Sequence, residues 1–219
     1  MRASARSAAF TQYLTAWVFL IAVGMAELVY ILLSRHDQAA LLSWASTNVH
    51  NLGHDPVGCL IASAFFPSEF LWAWPAVIAL AMFGACKVLG NWRSAVVCAA
   101  AHVIGTLVSE GIVAYRISHG DLPASDKFIT DVGPSYVVVA AIAVAILFGG
   151  WLGRPAAVLD LALLVFVGDI FSGLGQLNVS AVGHLTALLV GGLLGGLLLW
   201  RMRLRPHGAS TYSARVPPG

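Results

Sequence analysis

Between residues 11 and 33 the only charged side chain is Glu27, and comparably apolar stretches recur at 70–89, 94–115, 132–151, 155–172 and 179–200. About 20 predominantly apolar residues suffice for a helix to span roughly 30 Å of hydrocarbon, so six such stretches predict a bundle of membrane-crossing helices. A seventh piece, 57–66, is too short to span and is closed by Pro67; it reads as a re-entrant or interfacial hairpin.

The rest of the composition leaves few other options. Of 219 residues, 59% are hydrophobic and 10% charged, against about 25% charged in a soluble domain. That surface could not cover a water-facing fold. Nucleic-acid binding is also disfavoured, because a net charge of +2 with scattered Lys and Arg makes no basic patch. Cys59, Cys86 and Cys98 form neither a disulfide framework nor a CxxC metal knuckle, and read as small core residues.

Loop charges orient the bundle, since cytoplasmic loops are enriched in Lys and Arg. With the N-terminus inside, Arg2, Arg6, Lys87, Arg93, Arg154, Arg201, Arg203, Arg205 and Arg215 face the cytoplasm, and only Arg35, Arg116 and Lys127 face outward. Asp37, Asp55, Glu69, Asp121, Asp126, Asp131 and Asp169 collect on the outer side. The expected organisation is a short cytoplasmic N-terminus (1–10), a membrane domain (11–200) and a disordered cytoplasmic tail (201–219), in a multi-pass protein of the cell membrane. The basic start before the first segment suggests a retained signal-anchor helix. No internal repeat implies the inverted halves of a transporter.

Polar residues placed where lipid makes them expensive carry the functional information. The fourth segment opens Asp131-Val132-Gly133-Pro134-Ser135-Tyr136, and the sixth opens Asn178-Val179-Ser180-Ala181-Val182-Gly183-His184. Both enter from the outer side, so Ser135 and His184 fall within about one to two turns of one boundary. A serine hydroxyl becomes an effective nucleophile when a neighbouring base takes its proton, and imidazole can do that near neutral pH. Gly133 and Pro134 would break the helix start and leave backbone N–H groups free to hold an oxyanion. Ala187, Gly191 and Gly195 continue the His184 face at four-residue spacing, a small-residue stripe on which the helix carrying Ser135 could pack.

These residues resemble the rhomboid intramembrane serine proteases and their rhomboid-like relatives over roughly 57–200. Leu60-Ile61-Ala62-Ser63-Ala64-Phe65-Phe66 is similar to the family's stretch before the second helix, and Lys87-Val88-Leu89-Gly90 to that helix's end. Gly133-Pro134-Ser135-Tyr136 resembles the Gly-x-Ser-Gly nucleophile motif, and Gly183-His184 with its glycines the histidine motif. The resemblance implies an all-α, six-transmembrane-helix rhomboid-like bundle with Ser135 as nucleophile and His184 as base. It further implies transmembrane protein substrates or clients in the bilayer, with no cofactor, metal, nucleotide or nucleic acid.

Three departures stand out. The family's His-x-x-x-Asn pattern is replaced by Phe70-Leu71-Trp72-Ala73-Trp74-Pro75-Ala76, the first loop lacks a Trp-Arg pair, and Tyr136 stands where the motif has glycine. Tyr136 is expected to crowd the approach of a substrate backbone, with Asp131 and Tyr136 supplying hydrogen bonds in place of the missing donors. A fold that has lost its chemistry and binds transmembrane clients is therefore the alternative expectation. A small transporter is the third, resting on Glu27, His102 and Glu110 within apolar segments. His50 and His54, four residues apart beside Asp55, are too few to make a metal site. Trp72 and Trp74 fit an aromatic belt at the membrane surface.

Overall fold

The computed structural model describes residues 10–66 and 73–204, and these are helical with connecting turns. Helix α1, Leu14–Leu32, is followed by three short helices: α2 (Arg35–Ala45), α3 (Val49–His54) and α4 (Pro56–Ser63). Then come α5 (Trp74–Leu89), α6 (Asn91–Ser118), α7 (Ser135–Phe148), α8 (Gly153–Phe166) and α9 (Val179–Leu204).

Each boundary has a local cause. Ser34, Asn48 and Asp55 accept N–H bonds from Asp37, Asn51 and Gly58, capping α2, α3 and α4, and Pro56 occupies the first turn of α4, where its missing N–H costs nothing. The 57–66 piece is thus the last of three capped short helices. At the other end of the bundle, Asn91 accepts from the Thr15 N–H at 3.1 Å and donates to the Thr11 carbonyl, tying α1 to the α5–α6 turn.

Helices α1, α6 and α9 are long and apolar enough to cross a membrane. The others are shorter than the sequence suggests. Helix α5 has 16 residues and α7 and α8 have 14 each, roughly 24 and 21 Å at 1.5 Å per residue. Gly133 and Pro134 delay the start of α7, and Gly149, extended at φ −69° and ψ 162°, ends it. Helix α9 instead outruns expectation, continuing through Arg201 and Arg203 to Leu204, so the expected tail boundary falls inside a helix. Residues 1–9 and 205–219, and with them most of the expected tail, lie outside the described residues.

Helix α7 is the hub, packed against α5, α6, α8 and α9. Residues 136–145 are all buried, as expected of a helix apolar on every side. Ile78 and Met82 from α5 meet Val138, Val139 and Ile142 in the core. Lipid tails are as apolar as these side chains, so the helices associate through close packing rather than water exclusion. Small residues allow that on α9: a Cβ at Gly191 would lie 2.6 Å from the Ala140 carbonyl oxygen, and one at Gly195 2.9 Å from Val144. Ala187 is fully buried with Tyr136, Ala140 and Ala101 of α6.

Candidate active site

The loop into α7 is held by residues far away in sequence. The Ser46 hydroxyl accepts the Asp131 N–H at 2.8 Å, and the Thr47 N–H and hydroxyl both donate to the Asp131 carbonyl, at 2.9 and 3.1 Å. The Gly133 N–H donates to the Ser63 carbonyl at the end of α4, at 2.8 Å. Gly133 adopts φ +145°, a conformation that side-chain-bearing residues rarely reach. The short helices α2 to α4 therefore set where α7 begins, and Ser135 is its first residue.

Ser135 and His184 open into one cavity of about 530 Å³. Its walls come from the start of α5 (Trp74, Val77), the end of α8 (Leu164, Val167) and the turn to α9 (Ile170), with Ser180 beside the histidine. Trp74 lines this cavity, and Trp72 lies outside the described residues, as do Phe70 and Leu71. Among the described residues His184 Nε2 is buried without a hydrogen-bond partner, so no hydrogen bond joins Ser135 and His184.

The imidazole's other edge is occupied. His184 Nδ1 lies 3.1 Å from the Ile170 carbonyl and 3.3 Å from the Ser180 hydroxyl. A carbonyl can only accept, which assigns the proton to Nδ1 and leaves the Nε2 lone pair free. The ring rests edge-on against Tyr136, centroids 4.9 Å apart at 86°.

Tyr136 does not crowd the cavity. Successive helix residues point about 100° apart, so while Ser135 faces the cavity, the Tyr136 side chain is buried between α6 and α9. Its hydroxyl donates to Asp131 Oδ2 at 3.0 Å, with the Val179 carbonyl at 3.4 Å. A side chain at Gly183 would collide with the phenol's oxygen and ring. Burial pushes the Asp131 carboxyl up to about 6, against the opposing pull of hydrogen bonds from Tyr136 and Thr47.

The supply of oxyanion donors is narrower than Gly133 and Pro134 suggest. The Gly133 N–H is already bonded and Pro134 has none. The first N–H bonded within α7 is that of Val138, to the Pro134 carbonyl, and no side chain caps the helix. The N–H groups of Ser135, Tyr136 and Val137 remain as helix-terminal donors, those of Ser135 and Tyr136 being nearest the start of the helix.

Sequence reasoning missed Ser46, Thr47, Ser63 and Ile170, which act through long-range backbone contacts. Ser180 was findable, sitting one helical turn before His184. On α6, His102, Thr106 and Glu110 form a buried polar stripe at four-residue steps. His102 Nε2 meets the Leu60 carbonyl at 2.9 Å and the Ser63 hydroxyl at 3.2 Å, but its Nδ1 and Thr106 Oγ1 are buried without a hydrogen-bond partner among the described residues. Glu27 is partly exposed on α1, apart from this stripe. The His50 and His54 rings lie 4.2 Å apart, tilted by 36°, and no group of three or more metal-ligating side chains occurs among the described residues.

Helical organisation, membrane-length apolar helices and a largely apolar cavity that holds Ser135, Ser180 and His184 at one end of the bundle define a helical membrane protein. The sequence model of the rhomboid-like protein family matches residues 6–203, and the chain belongs to that family. No curated protein and no solved structure gives a significant match.

Proposed function

We propose that this protein is a rhomboid-like intramembrane serine endopeptidase of the cell membrane, with six crossing helices and both termini cytoplasmic. A transmembrane substrate enters laterally, where α5 and α8 wall the cavity, and its helix unwinds near the outer leaflet. Ser135 Oγ attacks the exposed carbonyl carbon while His184 Nε2 takes the hydroxyl proton. The resulting oxyanion accepts from the Ser135 and Tyr136 N–H groups at the start of α7. His184 then returns the proton to the departing amine, and water hydrolyses the acyl-enzyme by the same route in reverse.

The carrying observation is the shared cavity of Ser135 and His184, with Nε2 unpartnered. Labelling of the purified protein with a fluorophosphonate probe tests it. The expected result is labelling of the wild type that Ser135→Ala and His184→Ala both abolish.

A second reading is favoured by the engaged Gly133 N–H and the missing side-chain donors: a client-binding protein that kept the fold and lost the chemistry. Losing one oxyanion donor costs about 100- to 1000-fold in rate. An unlabelled but folded wild type, with client capture that survives Ser135→Ala, would establish that reading instead.

A further inference from the structure

At the end of the bundle opposite Ser135, a second cavity of about 410 Å³ lies between the ends of α5, α7 and α9 and the start of α8. Lys87 from the last turn of α5, Arg154 from the first turn of α8 and Arg203 from the last turn of α9 all line it. All three side chains are exposed, and Arg154 is steered over the end of α7 by donating to the Leu147 carbonyl at 3.2 Å. Among the described residues no Asp or Glu lines the cavity with them. The acidic residues of the described chain lie at the Ser135 end (Asp37, Asp55, Asp121, Asp126, Asp131, Asp169) or within helices (Glu27, Glu110, Asp160). Three cations from three helices thus converge on one concavity without a counter-charge.

Its floor is also open. Gly149, Gly150 and Gly153 line the cavity, and a Cβ at Gly150 or Gly153 would meet nothing within 4 Å. The start of α8 has no side-chain cap, so its helix dipole adds to the attraction for an anion. Leu147, Phe148 and Leu199 give the lining an apolar rim, and exposed Trp151, Leu152 and Trp200 adjoin lining residues in sequence, Trp151 at 82% exposure. Tryptophans with basic groups mark the level of lipid headgroups.

We propose that this cavity binds the phosphate headgroup of an anionic phospholipid in the leaflet on the basic face, with the acyl chains lying along the apolar rim. A free phosphate would use the three cations alone. A lipid uses them together with Leu147, Trp151, Leu152 and Trp200, which is why the lipid is the chosen occupant.

Native mass spectrometry of the full chain, titrated with phosphatidylglycerol or phosphatidylcholine, tests the site. One phosphatidylglycerol should be retained preferentially, and Lys87→Gln, Arg154→Gln and Arg203→Gln should each weaken it about fivefold. Arg93→Gln removes a cation from the same face but outside the cavity, and should leave binding unchanged. Arg154→Lys keeps the charge and should keep binding, separating loss of the site from loss of the fold. Equal retention of both lipids, an Arg93→Gln effect as large as the others, or displacement by glycerol 3-phosphate at the lipid's own concentration would overturn the proposal.

Discussion

The phenol of Tyr136 occupies the space that a side chain at Gly183 would need, and it packs α7 against α9 with the ring of His184 edge-on beside it. Gly183→Ala should therefore cost about 1–3 kcal/mol of stability, the usual range for an overpacked site. Adding Tyr136→Leu should recover part of that loss, giving a coupling of about 1 kcal/mol or more in a double-mutant cycle of unfolding in mixed micelles. Strictly additive losses would show that the two residues do not share the space.

Asp131 should make stability fall with rising pH. Its folded-state value near 6 lies above the ordinary 3.8, so the native state holds the proton more tightly than the unfolded chain between those limits. The full benefit is present below about pH 4 and is lost as pH climbs through 6, a change of at most about 3 kcal/mol. Asp131→Asn keeps an acceptor for Tyr136 and should flatten that slope. Unfolding measured from pH 4 to 7.5 on both proteins checks it.

For His184, the Ile170 carbonyl alone suffices to keep the proton on Nδ1. Ser180→Ala should then slow fluorophosphonate labelling by less than about tenfold, while His184→Gln reduces it to background. Equal loss in the two variants would assign the tautomer to Ser180 instead.

Two glycines on long helices should respond in opposite directions. Gly191→Ala pushes a methyl into the Ala140 backbone and should cost about 1–3 kcal/mol. Gly111 on α6 faces open space, and Gly111→Ala should gain up to about 1 kcal/mol through helix propensity. Thermal unfolding in one detergent compares them directly.

The contrast between what hydropathy reveals and what it hides follows from range. Each of the six apolar stretches contains a helix, because burial in lipid or among helices imposes the same composition along the whole segment. The ends were less legible: Val132 looks as apolar as Val137, yet it stands before the Gly133-Pro134 break. Ser135 and His184 could be placed at one depth from segment starts alone. The orientation of Tyr136 could not, since one residue's step around a helix turns a side chain from the cavity to the opposite wall. The clamp of Ser46, Thr47 and Ser63 on the loop spans up to 85 residues of sequence, and no local pattern announces it.

Helix α7, with 14 residues, is half the length of the 28-residue α6 beside it, and its neighbours screen nearly all of it, leaving only Leu147 exposed, at 53%. A short span exposed to acyl chains would have to tilt its neighbours or pinch the bilayer around itself. Sheathed in this way, the helix that begins with Ser135 has a length answerable to protein packing alone. A change in membrane thickness around the molecule should then leave Ser135 at the depth of His184.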